Sequence, residues 1–192
     1  MAYGLRPVQM SGSRYQTGGF VKLPIEDDLV GTPIYNGGPV FYTIAATTAA
    51  SGIKANDAPT DQAAALTLGV LVGATWVNVD NEQKWGQYYD GASTNKTGKA
   101  FGFVVPAEGV VFSVVGNAAW DRKYIGWECL LTGSGGSTVT GNSNLSLLQV
   151  TSDASNAAII PVGVLENGNE LTATPEVLVR FAAAGIQTKP LI

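Results

Sequence analysis

Hydrophobic residues along this chain occur in short runs rich in valine, isoleucine and aromatic side chains, and glycine, proline, asparagine and aspartate separate the runs. Runs bounded by such turn-forming residues are typical of β-strands. The clearest lie at residues 20–23, 40–44, 68–77, 100–105, 109–115, 145–150, 159–165 and 176–181. The last run alternates strictly, with Val177, Val179 and Phe181 on one side and Leu178 and Arg180 on the other. About ten short strands spaced about 8–15 residues apart predict an all-β protein.

Two neighbouring runs indicate how the strands are arranged. Residues 100–105 and 109–115 are separated by three residues, which favours an antiparallel hairpin. Because their apolar residues are partly continuous, we expect these strands to be covered on both faces, as in a small antiparallel barrel or sandwich. Gly69 and Gly73 interrupt the long run at 68–77 and predict bends or bulges there. Residues 60–66 favour a single helical turn with Asp61 as its N-cap.

The first nineteen residues differ from the rest of the chain. Residues 1–19 contain too much glycine, proline and serine to form a periodic apolar face, so they predict an extended N-terminal arm. Residues 20–192 then form a single β-rich body domain. The arm carries apolar anchors at Tyr3, Leu5, Val8, Met10 and Tyr15, and we expect it to become ordered against either its own body or a neighbouring molecule. Residues 132–144, which also lack apolar periodicity, predict a flexible loop.

Composition changes the functional picture more than the fold. The chain has no histidine, a single cysteine at Cys129 and 14% charged residues, whereas about 25% is usual in soluble domains. Histidine supplies the base or the ligand in most catalytic triads and zinc sites, so we expect no enzyme, no metal site and no cofactor. A surface with few charges repels its neighbours weakly, which suits a dense assembly.

The charge of the chain bears on its partners. A net charge of −4 argues against a nucleic-acid-binding protein, which would carry a basic patch. The charge is uneven, because Arg6, Arg14 and Lys22 give residues 1–22 a charge of +3 and leave −7 for the rest. The N-terminus lacks the apolar core of a signal peptide, and no apolar stretch is long enough to span a bilayer. We therefore expect no membrane partner.

Three acidic groups keep an enzymatic alternative open, because two carboxylates about 5–9 Å apart suffice for glycoside hydrolysis. These groups are Glu26-Asp27-Asp28, Asp80 with Glu82, and Glu166 with Glu170. The simpler interpretation places each of them in a solvated turn. The oxygens around Asp80 and Glu82 are of the kind that binds calcium, but the glycine and the distal glutamate of an EF-hand loop are missing.

Aromatic residues cluster in the middle and later parts of the chain, at Trp76, Trp85, Tyr88, Tyr89, Trp120, Tyr124 and Trp127. Such residues commonly fill a β core or a subunit contact, where they contribute much of the buried area. They also form platforms that bind sugars, and this second interpretation describes a carbohydrate-binding β module.

Several short motifs, taken in order, resemble those of the capsid decoration, or cement, proteins of tailed bacteriophages. They are Gly4-Leu5-Arg6-Pro7-Val8, Gly38-Pro39-Val40, Gly69-Val70-Leu71-Val72-Gly73, Trp85-Gly86-Gln87-Tyr88-Tyr89-Asp90-Gly91, Val104-Val105-Pro106 with Val111-Phe112, Val162-Gly163-Val164 and Glu176-Val177-Leu178-Val179. The resemblance implies a non-enzymatic virion protein, bound in many copies to the outer surface of an icosahedral head where major capsid subunits meet. It also implies a homo-oligomer, with a trimer favoured over a dimer. A head-fibre or tail component is the closest alternative.

Under this interpretation the N-terminal arm supplies the contact to the capsid or to neighbouring copies. The predicted contact residues are Tyr3, Leu5, Arg6, Pro7, Val8, Met10, Arg14 and Tyr15. A body without residues 2–19 is expected to fold and to bind shells more weakly. Phe103 and Phe112 are expected to support the fold of that body.

Overall fold

A computed structural model describes residues 3–10, 19–26, 31–43, 51–56, 67–92, 94–120, 122–148, 159–165, 174–182 and 186. The prediction of an all-β protein is confirmed, since these residues form twelve β-strands and one short 3-10 helix, Arg122–Tyr124. The strands are β1 (Arg6–Met10), β2 (Val21–Pro24), β3 (Pro39–Thr43), β4 (Gly52–Ala55), β5 (Gly69–Val77), β6 (Gln83–Gly86), β7 (Phe101–Pro106), β8 (Val110–Val115), β9 (Leu131–Thr132), β10 (Ser146–Leu147), β11 (Ile159–Val164) and β12 (Glu176–Phe181). The helical turn predicted at 60–66 lies outside the described residues. Within these ranges no helix has the length and apolar character needed to cross a membrane.

Most of the strands belong to two antiparallel sheets. Sheet I has the order β1-β8-β12-β11, and sheet II has the order β2-β7-β5-β3-β4, with β6 paired to the end of β5. Strands β9 and β10 form a small separate pair. Sheet II curls until its edge strands approach each other at a bridge between Ile25 and Ile53, although the described strands do not close into a barrel. The structure therefore agrees with the sandwich form of the predicted fold.

The hairpin predicted between residues 100–105 and 109–115 is wrong. Strand β7 lies in sheet II between β2 and β5, whereas β8 lies in sheet I between β1 and β12. Residues 107–109 turn a corner between the sheets, with Ala107 buried and Gly109 at a φ of 71°, which glycine adopts without strain. A short link does not distinguish a hairpin from such a corner when both strands are apolar on both faces.

Two apolar cores cover the strands that were expected to be buried on both faces. Core I lies between the two sheets, and core II lies inside the curl of sheet II. Core I is built around Leu5, Val70, Val105, Phe112, Leu147, Val177 and Phe181, and core II around Ile25, Ile34, Val40, Ile53, Leu71, Trp76, Tyr89 and Val104. Strand β7 is thus buried on both faces at Val104 and Val105, as predicted, whereas Phe101 and Phe103 of the same strand are half-buried.

A bulge in β5 decides which of its residues face core II. The pairing of β5 with β7 shifts between Leu71 and Gly73, which confirms a bulge at this part of the predicted strand. An extra residue changes the alternation of side chains between the two faces of a sheet. As a result Leu71, Ala74 and Trp76 all lie in core II, while Val70 lies in core I.

The N-terminal residues 3–10 are part of the body. Strand β1 is an edge strand of sheet I and pairs with β8, and Leu5, which is 1% exposed, lies in core I. The backbone N–H of Leu5 donates a hydrogen bond to the carbonyl oxygen of Gly37 at 2.8 Å. Of the two alternatives for the arm, these residues show ordering against their own body, and the boundary expected at residue 19 does not separate them from it. Residues 11–18 lie outside the described part of the chain.

The segment at 132–144, predicted to be a flexible loop, is folded in the structure. A bridge between Gly136 and Ser143 closes it, and it packs on Tyr35 and Tyr88, whose rings stack with centroids 5.5 Å apart. A side chain at Gly136 would collide with the Tyr35 ring, so the absence of a side chain permits this close contact. The tip of the loop carries Val139, which is 93% exposed.

Candidate docking surface

One face of sheet II carries aromatic side chains that core I does not cover. Trp85 of β6, Thr75 of β5 and Phe101 of β7 lie opposite one another in register, and residues in register share a face of a sheet. Phe103, two residues further along β7, lies on the same face and pairs with Lys22 of β2. We call the surface formed by Phe20, Lys22, Trp85, Phe101 and Phe103 the aromatic face.

The aromatic face is open to solvent. Trp85 is 84% exposed and Phe20 is 55% exposed, while Phe101 and Phe103 are half-buried. The rings of Phe20 and Phe103 meet edge to face with centroids 5.1 Å apart, a favourable arrangement for aromatic pairs. Val105 follows on the same side of β7 and is buried in core I. The aromatic face is therefore the uncovered continuation of the surface on which the two sheets pack.

The polar groups of this face are few and have partners within it. The Lys22 ammonium lies 4.5 Å from the centre of the Phe101 ring, which is a cation–π contact. The Thr75 hydroxyl donates to the carbonyl oxygen of Lys84 at 2.9 Å, and the Gln83 amide donates to the Thr75 hydroxyl at 3.3 Å. Among the described residues in register on this face, Lys22 carries the charge and none is a carboxylate.

The predicted contact residues that the structure describes lie on β1 and just before it, in sheet I, and not on the aromatic face. Within the described residues, Leu5 is buried, Tyr3 and Pro7 are half-buried, Arg6 and Val8 are exposed, and Met10 belongs to the edge strand β1. Arg14 and Tyr15 lie outside the described residues. For Leu5 the structure differs from the prediction, because a side chain packed in core I is not available to a partner.

Six of the seven clustered aromatic residues pack against other rings. Trp76 and Tyr89 meet edge to face in core II, Tyr124 contacts both Trp120 and Trp127, and Tyr88 stacks on Tyr35. Trp85 is the exception. The aromatic face was not predicted from the sequence, because the partly continuous apolar run at residues 100–105 indicates burial on both sides. The spacing of Phe101 and Phe103 on alternate positions was the signal that could have revealed a shared face.

One acidic group considered for catalysis is neutralised within the fold. Glu26 is buried, and its carboxylate forms an ion pair with Lys54 at 2.5 Å. Asp27 and Asp28, which follow Glu26, lie outside the described residues. The pair Glu166 and Glu170 also lies outside them. In the described part of the chain, no group of three or more potential ligands is placed to hold a metal ion.

The residues around Asp80 form a tight turn between β5 and β6. The side-chain oxygen of Asn78 accepts hydrogen bonds from the backbone N–H groups of Asp80 and Glu82, at 3.1 and 2.9 Å. The Glu82 carboxylate pairs with Lys84 at 2.6 Å. Hydrogen bonds from Lys84 and from the Asn78 amide hold the pKa of Glu82 below its usual range. Of the oxygens weighed as calcium ligands, those of Glu82 thus bind Lys84 and the Asn78 amide within this turn.

Tyr3 lies among charged groups at the edge of sheet I. The Arg6 guanidinium lies 3.7 Å from the centre of its ring. The Tyr3 hydroxyl is buried beside Glu176 and Ser113, although it makes no hydrogen bond of good geometry with either. Burial, and after it the neighbouring Glu176 carboxylate, raise the pKa of Tyr3 from 10.0 to about 12, because both disfavour the phenolate.

Alkaline pH is therefore expected to destabilise the protein through Tyr3. Between pH 10 and about 12 the tyrosine of the unfolded chain ionises while Tyr3 in the folded protein stays neutral, so the free energy of unfolding falls as the pH rises. Urea denaturation of the wild type and of Tyr3→Phe across this range measures the effect. We expect a smaller fall for the variant, and an equal fall in both proteins would contradict the environment described for Tyr3.

Comparison with known proteins gives no relative, since no family model, no curated protein and no solved structure matches this chain. The functional interpretation therefore depends on the geometry described above and on the motifs of the sequence.

Proposed function

We propose that this protein is a structural protein of a tailed bacteriophage that decorates and cements the outer surface of the icosahedral head, where it bridges neighbouring major capsid subunits. The observation that carries the proposal is the aromatic face, on which Trp85 and Phe20 are largely exposed on an ordered sheet. Soluble monomers rarely expose grouped apolar side chains in this way unless a partner covers them. In this proposal the protein acts by binding and takes no cofactor.

The energetics of the aromatic face suit a protein that binds many equivalent sites. Each large apolar side chain that becomes fully buried contributes about 1.5–3 kcal/mol, and the loss of translational and rotational freedom offsets part of this gain. A moderate affinity for one site is sufficient on a shell, because every occupied site stabilises its surroundings by RT ln(1 + [L]/Kd). The low fraction of charged residues, 14%, supports the proposal, because copies that lie side by side then repel one another weakly.

The motifs that resemble those of decoration proteins also support the proposal. Two of them contain glycines that the packing requires: a side chain at Gly69 would collide with the Val105 backbone, and Gly91 has a φ of 64° beside the Thr32 backbone. The motif that ends at Gly91 begins with Trp85, the most exposed ring of the aromatic face. The resemblance thus depends on segments that maintain the fold and on one that carries the exposed indole.

The proposal keeps only part of the N-terminal contact predicted from the sequence. Arg6 and Val8 are exposed on the edge strand β1, and we propose that they form a second contact to neighbouring subunits together with Arg14 and Tyr15. We also propose a homo-oligomer, with a trimer favoured over a dimer, on the basis of the family resemblance. Analytical ultracentrifugation of the purified chain measures its mass in solution and tests this part.

Replacing Trp85 by alanine is expected to weaken binding to shells by more than about tenfold, because the largest exposed ring of the docking surface is lost. The melting temperature is expected to stay close to that of the wild type, since the side chain is 84% exposed. Co-sedimentation with empty shells of the corresponding major capsid protein measures the affinity. Val139→Ser is the matched control, because Val139 is also highly exposed but lies on the loop at 132–144.

The proposal is overturned if Trp85→Ala decorates shells with the affinity of the wild type, or if the wild type binds no shell. Electron micrographs of the same mixtures separate a head decoration from the closest alternative. Density on the head surface is expected, and density confined to fibres or to the tail would instead support a fibre or tail component.

A carbohydrate-binding module is the second candidate, and the exposed indole of Trp85 is the observation that favours it. Sugar binding also requires free polar groups beside the ring. Next to Trp85, the Thr75 hydroxyl is engaged by the Lys84 carbonyl and by the Gln83 amide, which favours the protein partner. Glycan-array binding that disappears in Trp85→Ala would favour the sugar instead.

A further inference from the structure

The charge of the aromatic face differs from that of the protein as a whole. The chain has 15 acidic and 11 basic residues, for a net charge of −4. Among the described residues in register on the aromatic face, however, the charged group is Lys22, which lies over the Phe101 ring at 4.5 Å. No described carboxylate forms an ion pair with Lys22. A cation at the edge of an apolar surface is thus left for a partner to neutralise.

This arrangement discriminates between possible occupants of the surface. In a symmetric dimer the same patch meets itself, so two aromatic faces in contact would bring two lysines and no carboxylate together. Such a contact leaves both cations without an opposite charge in a region that loses water, which is unfavourable. A different protein surface that carries a carboxylate gains a charge-assisted hydrogen bond instead. The charge pattern therefore favours a different protein over a second copy that docks face to face.

We infer that the aromatic face recognises a protein surface that is apolar at its centre and presents a carboxylate to Lys22. The inference rests on the proposed function and defines the chemistry of the capsid site. The rings of Trp85, Phe20 and Phe103 supply the buried apolar area, and Lys22 selects the orientation. Complementary charges mainly set specificity and the rate of association.

The test compares three variants in co-sedimentation with empty shells at low and high salt. Lys22→Gln removes the charge and Lys22→Glu reverses it. Lys123→Glu is the matched control, because the ammonium of Lys123 also lies over a ring, that of Tyr124, at 4.9 Å, but outside the aromatic face. We expect Lys22→Gln to weaken binding several-fold and Lys22→Glu to weaken it by more than about tenfold at low salt. The difference is expected to shrink at high salt, where charges are screened, and Lys123→Glu is expected to bind like the wild type.

The outcomes separate the inference from the proposed function. If the wild type binds shells and Trp85→Ala does not, but Lys22→Glu binds normally, then the partner presents no carboxylate to Lys22. In that case the inference is refuted, while the aromatic face remains the docking surface. If the wild type binds no shell, the inference and the proposed function are both refuted. Aromatic rings beside a lysine can also stack on bases. If the wild type binds a single-stranded oligonucleotide and both Trp85→Ala and Lys22→Glu lose this binding, the anion that Lys22 recognises is a phosphate. That result would overturn the inference.

Discussion

Replacing Leu5 by alanine is expected to lower the free energy of unfolding by about 2–5 kcal/mol, the range observed when a large aliphatic side chain is removed from a well-packed core. Leu5 is 1% exposed and packs in core I, between the two sheets. The backbone N–H of Leu5 is bonded to the carbonyl oxygen of Gly37, and the strand that follows, β1, pairs with β8, so the chain around Leu5 has little freedom to fill a cavity. Equilibrium denaturation in urea measures the loss as a lower midpoint.

Val8→Ala is the control for this experiment, because Val8 belongs to the same strand and is 36% exposed. We expect it to change the free energy of unfolding by less than about 1 kcal/mol. Equal effects of the two substitutions would show that residues 3–10 do not pack as described. Because β1 is part of sheet I, deleting residues 2–19 is expected to destabilise the body, and shell binding by such a truncated protein would not isolate a contact.

Replacing Phe112 by alanine is expected to destabilise the protein by about 3–5 kcal/mol. Phe112 is fully buried in β8, one of the two inner strands of sheet I, and its ring meets that of Phe181 edge to face with centroids 5.6 Å apart. The substitution removes the ring from core I and also removes this aromatic contact. Thermal and urea denaturation measure the change, which is expected as a lower melting temperature with an unchanged overall fold at low temperature.

Phe103→Ala provides the comparison, since the sequence predicts that Phe103 and Phe112 both support the fold. Phe103 is half-buried on the aromatic face, so we expect a loss of about 1 kcal/mol in stability but weaker binding to shells. Phe112→Ala is expected to show the opposite balance, with a large loss of stability and little effect on affinity while the protein is folded. Similar losses of stability for both variants would contradict the division between core I and the aromatic face.

The strands were predictable because their signal is local. The alternation of Val177, Val179 and Phe181 predicts the buried side of β12, and these three residues are buried in the structure. The bulge in β5 was likewise indicated by Gly73, which interrupts a long apolar run. Local patterns of this kind depend on the geometry of one strand and do not require knowledge of its neighbours.

The partners of the strands were not predictable, because pairing depends on distant residues. A three-residue link between apolar strands led to a predicted hairpin, whereas β7 and β8 find their neighbours in different sheets. The loop at 132–144 was predicted to be flexible because it lacks apolar periodicity. The rings that hold it in the structure, Tyr35 and Tyr88, lie far away in the sequence. Leu5 stands alone among glycine and proline, and only the fold reveals that its side chain enters core I.

The aromatic face illustrates the same limit for the candidate site. Trp85, Phe101 and Phe20 come from three separate strands or their ends, and the register of β6, β5, β7 and β2 brings them to one side. From the sequence alone, an aromatic residue in a β-rich chain can be interpreted either as part of a core or as part of an exposed aromatic surface. Which of these applies depends on how far sheet I extends over sheet II, and no local pattern encodes that overlap.

The corner at residues 107–109 has a mechanical consequence. A pull on Phe101 or Phe103 enters β7, which is hydrogen-bonded to β2 on one side and β5 on the other, and passes along the covalent chain into β8. An inner strand is released only when hydrogen bonds on both of its sides break together, whereas an edge strand peels away along one side. A force applied at these two rings is therefore shared by both sheets before either one yields.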